Sequence, residues 1–166
     1  RAIESYHRLA GYAKQVGLKY LLYETTSVPR ETCATFEEND FILSECKDMA
    51  IPMMLCLDVG HRNQENPQAP EANPYSWIKR YGMVSPLIHI QQCNETGSHH
   101  WTFIPEYNTK GDIEPEKVLK AIEDSGATHE VLLALEARHR AYYPDEYRVE
   151  ENLKKSVDYW RQYVKE

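Results

Sequence analysis

Apolar positions recur at helical spacing over residues 3–16, where Ile3, Tyr6, Leu9, Ala10, Ala13 and Val16 share one face. Gly17 then suits a helix C-cap. An unbroken apolar run, 20–23, follows and stops at Glu24. The same alternation repeats down the chain. A helical pattern over 36–48 ends before Pro52, and Met53–Leu57 is a second apolar run, closed by Asp58. Residues 62–74 are polar and Pro-rich and read as a loop. Asn73-Pro74 opens a third helix carrying Trp77, Ile78 and Tyr81. Residues 86–90 form a third strand with His89 inside it, and 93–113 read as one long loop. A fourth helix spans 115–125 before Gly126, and a fourth apolar run, 131–135, stops at Glu136. A last amphipathic helix covers 149–165 through Leu153, Val157, Trp160 and Val164.

Short, continuous apolar runs are what parallel strands buried on both faces require. Alternating helix and strand patterns therefore predict an α/β fold with a parallel sheet. Four βα units make either half of an eight-stranded barrel or a small doubly wound sheet. No glycine-rich phosphate loop of the GxGxxG or GxxxxGK[ST] type is present, which disfavours a nucleotide-binding version of the latter.

The 166 residues suffice for one domain with a core, and 42% hydrophobic with 27% charged residues is ordinary globular composition. The net charge of −7 and the lack of any basic run argue against a nucleic-acid partner. No apolar run reaches the ~18 residues of a membrane span, so no membrane partner is expected. Cys33, Cys46, Cys56 and Cys93 form no CxxC pair and read as reduced, partly buried thiols of a cytoplasmic protein. The chain opens at Arg1 directly in a helical pattern, so a natural beginning is expected to be absent.

The chemistry sits where the strands stop. Glu24, Asp58 and Glu136 close the first, second and fourth apolar runs, His89 lies near the end of the third strand, and His61 follows Asp58 by three residues. A single acid at a strand end reads equally well as an N-cap of the next helix. Four such residues on four successive strands do not. In a barrel all would converge at the C-terminal face, and three carboxylates with one imidazole suit a divalent cation. Arg30, Arg62, His99, His100, Trp101 and Lys110 lie in loops on the same side, where they are candidates to clamp a phosphate.

The segments LLYETTSVPRE, CLDVGHRN, IHIQQ and LLALEAR resemble strands five to eight of the xylose-isomerase-like TIM barrels, and SHHWTFIPEYNTKGDI is similar to the lid of a branch acting on small sugars or sugar phosphates. The resemblance implies the C-terminal half of a (β/α)8 barrel, spanning 1–166, with the N-terminal half missing. It implies Glu24, Asp58, His89 and Glu136 as ligands of a divalent metal, with Mn2+ first and Co2+, Zn2+ or Mg2+ as alternatives. It makes Glu24 and Glu136 the acid/base pair, with His61, Arg30 and Trp101 contacting substrate. Ketose 3-epimerases commonly place an arginine shortly after the metal histidine. Here Gln91, Gln92, Cys93, Asn94 and Glu95 stand there, which speaks against free hexuloses.

The implied activity is isomerisation or 3-epimerisation of a small ketose or ketose phosphate. A proton beside a carbonyl is removed, and a metal stabilises the enediolate that forms. The rivals are a dehydratase or lyase on the same barrel, a DNA-repair endonuclease of the endonuclease IV type, and a half-barrel without activity of its own. Four βα units also leave two open sheet edges. The chain is therefore expected to self-associate or to pair with a missing half-barrel.

Overall fold

The computed structural model describes residues 1–28, 31, 33–63, 65–138 and 146–164. Helix α1 (Ala2–Gln15) leads into strand β1 (Leu21–Glu24), followed by α2 (Phe36–Glu45), β2 (Met53–Asp58), α3 (Pro74–Tyr81) and β3 (Leu87–Ile90). Then come β4 (Gln92–Asn94), β5 (Gly97–Trp101), α4 (Pro105–Asn108), α5 (Pro115–Asp124), β6 (Leu132–Leu135) and α6 (Val149–Trp160). Local chemistry sets these limits. Thr35 and Glu38 form a capping box at the start of α2. The Asn73 side chain accepts from Tyr75 N–H at the start of α3, with Pro74 in the first turn.

Strands β1, β2, β3 and β6 form one parallel sheet in that order. All four were expected from the apolar runs. The long loop expected over 93–113 is a correction: β4 and β5 pair there as an antiparallel hairpin, and α4 follows.

Side chains alternate across each strand. One face of the sheet carries Leu55, Leu57, Ile88 and Ile90, buried in a cluster with Trp77 and Tyr81 of α3, Val118 and Ala121 of α5, and Trp160 of α6. Each such Leu or Ile contributes about 1.5–3 kcal/mol over an exposed one. At the other end of the sheet α1 approaches through its small residues, Ala10 and Ala13, packed with Ile51. The opposite sheet face holds Leu22 and Glu24, Cys56 and Asp58, Leu87 and His89, and Leu132, Ala134 and Glu136. On the two edge strands this face is open, with Leu22 exposed by 37% and Leu132 by 63%. All four cysteines are buried, and none forms a disulfide among the described residues. No helix among the described residues is long and apolar enough to cross a membrane.

Candidate metal centre and acid–base site

Strand register assembles the cluster. Glu24 pairs with Cys56, Asp58 pairs with His89, and His89 pairs with Ala134. Glu136 N–H donates to the Ile90 carbonyl, which continues the β3–β6 ladder one step past the strand. The four polar side chains thus leave one end of the sheet on one face. One ligating atom from each of Glu24, Asp58, His89 and Glu136 lies within 4.8 Å of the others.

His89 Nδ1 is the hub. It is 3.2 Å from Glu24 Oε1, 3.2 Å from Glu136 Oε2 and 4.0 Å from Asp58 Oδ2. His61 stands on the Glu24 side. Its Nδ1 is 2.8 Å from the Thr25 carbonyl, and a carbonyl only accepts, so Nδ1 carries the hydrogen. The same nitrogen is 3.5 Å from Glu24 Oε1, and Nε2 faces Asp58 Oδ2 at 4.0 Å. His61 therefore joins the site, as its spacing from Asp58 suggested.

Asp58 is the most enclosed member, only 5% exposed. Burial pushes its carboxyl well above the usual carboxylate range, and the neighbouring Glu136 adds to this. Gly60 N–H and Gln91 oppose the shift by donating to it. Glu136 moves the other way. Burial raises its pKa, but Asp58 and the histidines His100, His89 and His61 outweigh it and hold the carboxyl below its ordinary value. Asp58 and Glu136 are thus pushed in opposite directions, the enclosed carboxyl up and the one beside three histidines down.

The residues fit a divalent cation. Ligands on opposite sides of one ion, each ~2.0–2.6 Å from it, stand ~4–5 Å apart, which matches the spread of these atoms. Glu136 Oε2 is buried and finds no hydrogen bond among the described residues, an orphaned anionic oxygen that a cation would satisfy.

Two contributors were not found by strand-end reasoning. Gln91 is fully buried. Its Oε1 accepts the backbone N–H of His100 at 2.7 Å, which fixes the amide orientation. Its Nε2 then donates to both oxygens of Asp58, at 3.0 and 3.1 Å. His100, on β5, brings its Nδ1 to 3.7 Å from Glu136 Oε1. Its place in SHHW beside the cluster was legible only as a loop histidine on the right side.

The other candidates have different partners. Trp101 stacks on His99 with centroids 3.9 Å apart and on Tyr107 at 5.2 Å. Trp101 thus stacks within the hairpin and against α4. Arg62 is no free phosphate clamp: its guanidinium makes a bidentate pair with Asp112 at 2.7 and 2.8 Å and lies almost wholly buried. Lys110 pairs with Glu106 at 3.1 Å. Arg30 lies outside the described residues.

No family model matches the chain. D-Erythrulose 1-phosphate 3-epimerase of Brucella abortus (strain 2308) is 31% identical over 166 residues, which cover 98% of this chain and 53% of that protein. A candidate xylose isomerase from Rhodospirillum rubrum superposes with a TM-score of 0.81 at 25% identity, over 99% of this chain and 54% of its own. The chain spans about half the length of the curated relative it matches. By sequence and by fold, the chain matches the C-terminal half of a xylose-isomerase-like (β/α)8 barrel, a relative of sugar epimerases and isomerases.

Proposed function

We propose that this chain carries the metal centre and acid–base groups of a 3-epimerase or isomerase acting on a small ketose, its phosphate included. The observation that carries this reading is the approach of Glu24 and Glu136, from the two outer strands of the sheet, to within 3.2 Å of the same His89 nitrogen. Glu24, Asp58, His89 and Glu136 are assigned as ligands, with Mn2+ the preferred ion. When bound, the ion supplies positive charge where the substrate oxygens become negative.

The protein's own residues do the proton chemistry. One glutamate, as carboxylate, takes the proton from the carbon next to the carbonyl. The C–H electron pair becomes the C=C bond of an enediolate as the carbonyl π pair moves to oxygen. The second glutamate, as carboxylic acid, returns a proton to the opposite face, which inverts the centre. His61 presents Nε2, the nitrogen without hydrogen in the neutral ring, to accept from a substrate hydroxyl. Arg30 and Trp101 remain assigned to the substrate side on sequence grounds, Trp101 as part of the hairpin wall. The Brucella relative supports a phosphorylated tetrulose as the first substrate to try.

The test is deuterium incorporation at C3 of D-erythrulose 1-phosphate, beside a panel of free and phosphorylated C3 to C6 ketoses, with the Mn2+-loaded protein in D2O. Incorporation with inversion is expected. Glu24→Gln and Glu136→Gln should each reduce inversion by about 100-fold or more with metal still bound. Wild-type inversion in either metal-loaded variant removes that glutamate from the pair, and a product lacking the elements of water assigns the site to a dehydratase.

A further inference from the structure

We propose that His100 is a positioning residue for Glu136, the counterpart of His61 at Glu24, and that Gln91 locks it in place. This rests on the assignment of the two glutamates as acid and base.

The two halves of the site repeat one arrangement. On one side, His61 Nδ1 lies between Glu24 Oε1 at 3.5 Å and the Thr25 carbonyl at 2.8 Å. On the other, His100 Nδ1 lies between Glu136 Oε1 at 3.7 Å and the Glu136 carbonyl at 3.2 Å. The two imidazoles face each other edge to face, with centroids 6.1 Å apart. Each proposed acid–base carboxylate thus has a histidine braced against the main chain at the end of its strand. A carboxylate free to rotate would spend much of its time off the line of the C–H bond, and a displacement of ~1 Å costs on the order of 100-fold in rate.

His100 is held there against its backbone preference. Its φ is +51°, a left-handed conformation uncommon for a residue with a side chain. Such strain persists only where surrounding contacts over-determine it, and it points to a role for the residue. Those contacts are present. Gln91 Oε1 accepts from His100 N–H, Ser98 Oγ lies 3.2 Å from His100 Nε2, and Arg138 N–H donates to the His100 carbonyl at 2.8 Å. Gln91 Nε2 is also 3.1 Å from His100 Nδ1. Because the same amide nitrogen donates to Asp58, the hairpin and the carboxylate cluster form one rigid unit.

The experiment separates the two faces of the carbon. The Mn2+-loaded protein is given D-erythrulose 1-phosphate and, separately, its C3 epimer in D2O. Deuterium in recovered starting ketose and deuterium in inverted product are measured independently. In His100→Ala, inversion should fall about 100-fold in both directions. The epimer deprotonated by Glu24 should still gain deuterium without inversion at close to the parent rate. The other epimer should lose both. His100→Gln should recover part of the loss. Equal loss for both epimers, or no loss, overturns the proposal. A second readout is independent of activity. Crystals of Mn2+-loaded His100→Ala should show the Glu136 carboxylate turned and Glu24, Asp58 and His89 unmoved, and an unmoved Glu136 overturns the proposal. If the parent exchanges neither epimer, the functional reading fails, and this structural comparison still decides the role of His100.

Discussion

Gln91 donates to both carboxylate oxygens of Asp58, and a Cβ placed on Gly60 would stand 2.5 Å from the Gln91 amide carbon. Gly60 also donates its own N–H to Asp58 Oδ1 at 2.6 Å. The glycine is needed for the close approach of the amide. Gln91 cannot withdraw without releasing Asp58 and His100 together. Gly60→Ala should therefore destabilise the fold by about 1–3 kcal/mol through overpacking. It should also weaken Mn2+ binding by about 10- to 100-fold, as loss of ligand support does. Gly11→Ala is the control. Nothing lies within 4 Å of a Cβ there, and Gly11 sits inside α1, so alanine should be neutral or stabilising by up to ~1 kcal/mol. Thermal unfolding and titration calorimetry of both variants check this.

The opposite shifts of Asp58 and Glu136 give a pH signature. Asp58 is raised in the folded protein, whereas an unfolded aspartate titrates near ~3.9. The folded state therefore keeps a proton that the unfolded state has released. The stability from this group is complete below ~4 and is lost as pH rises through the folded pKa, by at most about 1.4 kcal/mol per pH unit for one proton. Glu136 is lowered, so its contribution is lost only as pH falls below the ordinary carboxylate range. From pH ~5 to ~8 the Asp58 slope acts alone of the two. Metal-free protein should lose stability to urea over that range, and Asp58→Asn should lose less. Because the ion must displace this proton, Mn2+ affinity should rise with pH across the same window. A pH-independent difference between wild type and Asp58→Asn would contradict the upward shift of Asp58.

Arg62 and Asp112 should respond unequally to mutation. The guanidinium is almost wholly buried and donates to Cys93 Sγ at 3.2 Å as well as to Asp112, and its Nε has no partner among the described residues. The Asp112 side chain is 44% exposed. Removing the aspartate strands a buried charge, which costs about 3 kcal/mol or more. Removing the charge with Arg62→Met leaves an aspartate that water can reach. Asp112→Ala should thus be the more destabilising of the two in denaturant titrations, and the reverse order would mean that the pair is solvated.

The four parallel strands, their helices and the convergence of Glu24, Asp58, His89 and Glu136 could be read from the chain because each strand is an apolar run with a charged or imidazole group at its C-terminal end. That signal needs no tertiary knowledge. The hairpin formed by β4 and β5 could not be read in this way. Its strands, QCN and GSHHW, carry no apolar alternation, and their polar side chains are satisfied by one another and by the site. Gln91 and His100 were missed as a working pair for the same reason: their roles come from hydrogen bonds between segments. Arg62 looked like a phosphate ligand by position, but its partner lies 50 residues away in sequence.

The open sheet gives the last prediction. Strands β1 and β6 each have one neighbour among the described residues, so each offers a row of unpaired backbone groups. Leu22 and Leu132 lie on the open face of those strands, and Leu9, Tyr12, Val16 and Leu18 of and after α1 are exposed as well. Keeping such surface in water is unfavourable by ~25 cal/mol per Å2. Two copies related by a two-fold axis along the strands would bring β6 of each beside β1 of the other. All eight strands would then be parallel, and the contact would close after two copies rather than propagate. The 166-residue chain in solution should accordingly sediment above its 19.4 kDa monomer mass. Leu132→Lys should shift it toward monomer, since a lysine on an edge opposes pairing. A well-folded wild-type monomer at micromolar concentration would show that the edges are protected in some other way and would remove the basis for the closed dimer.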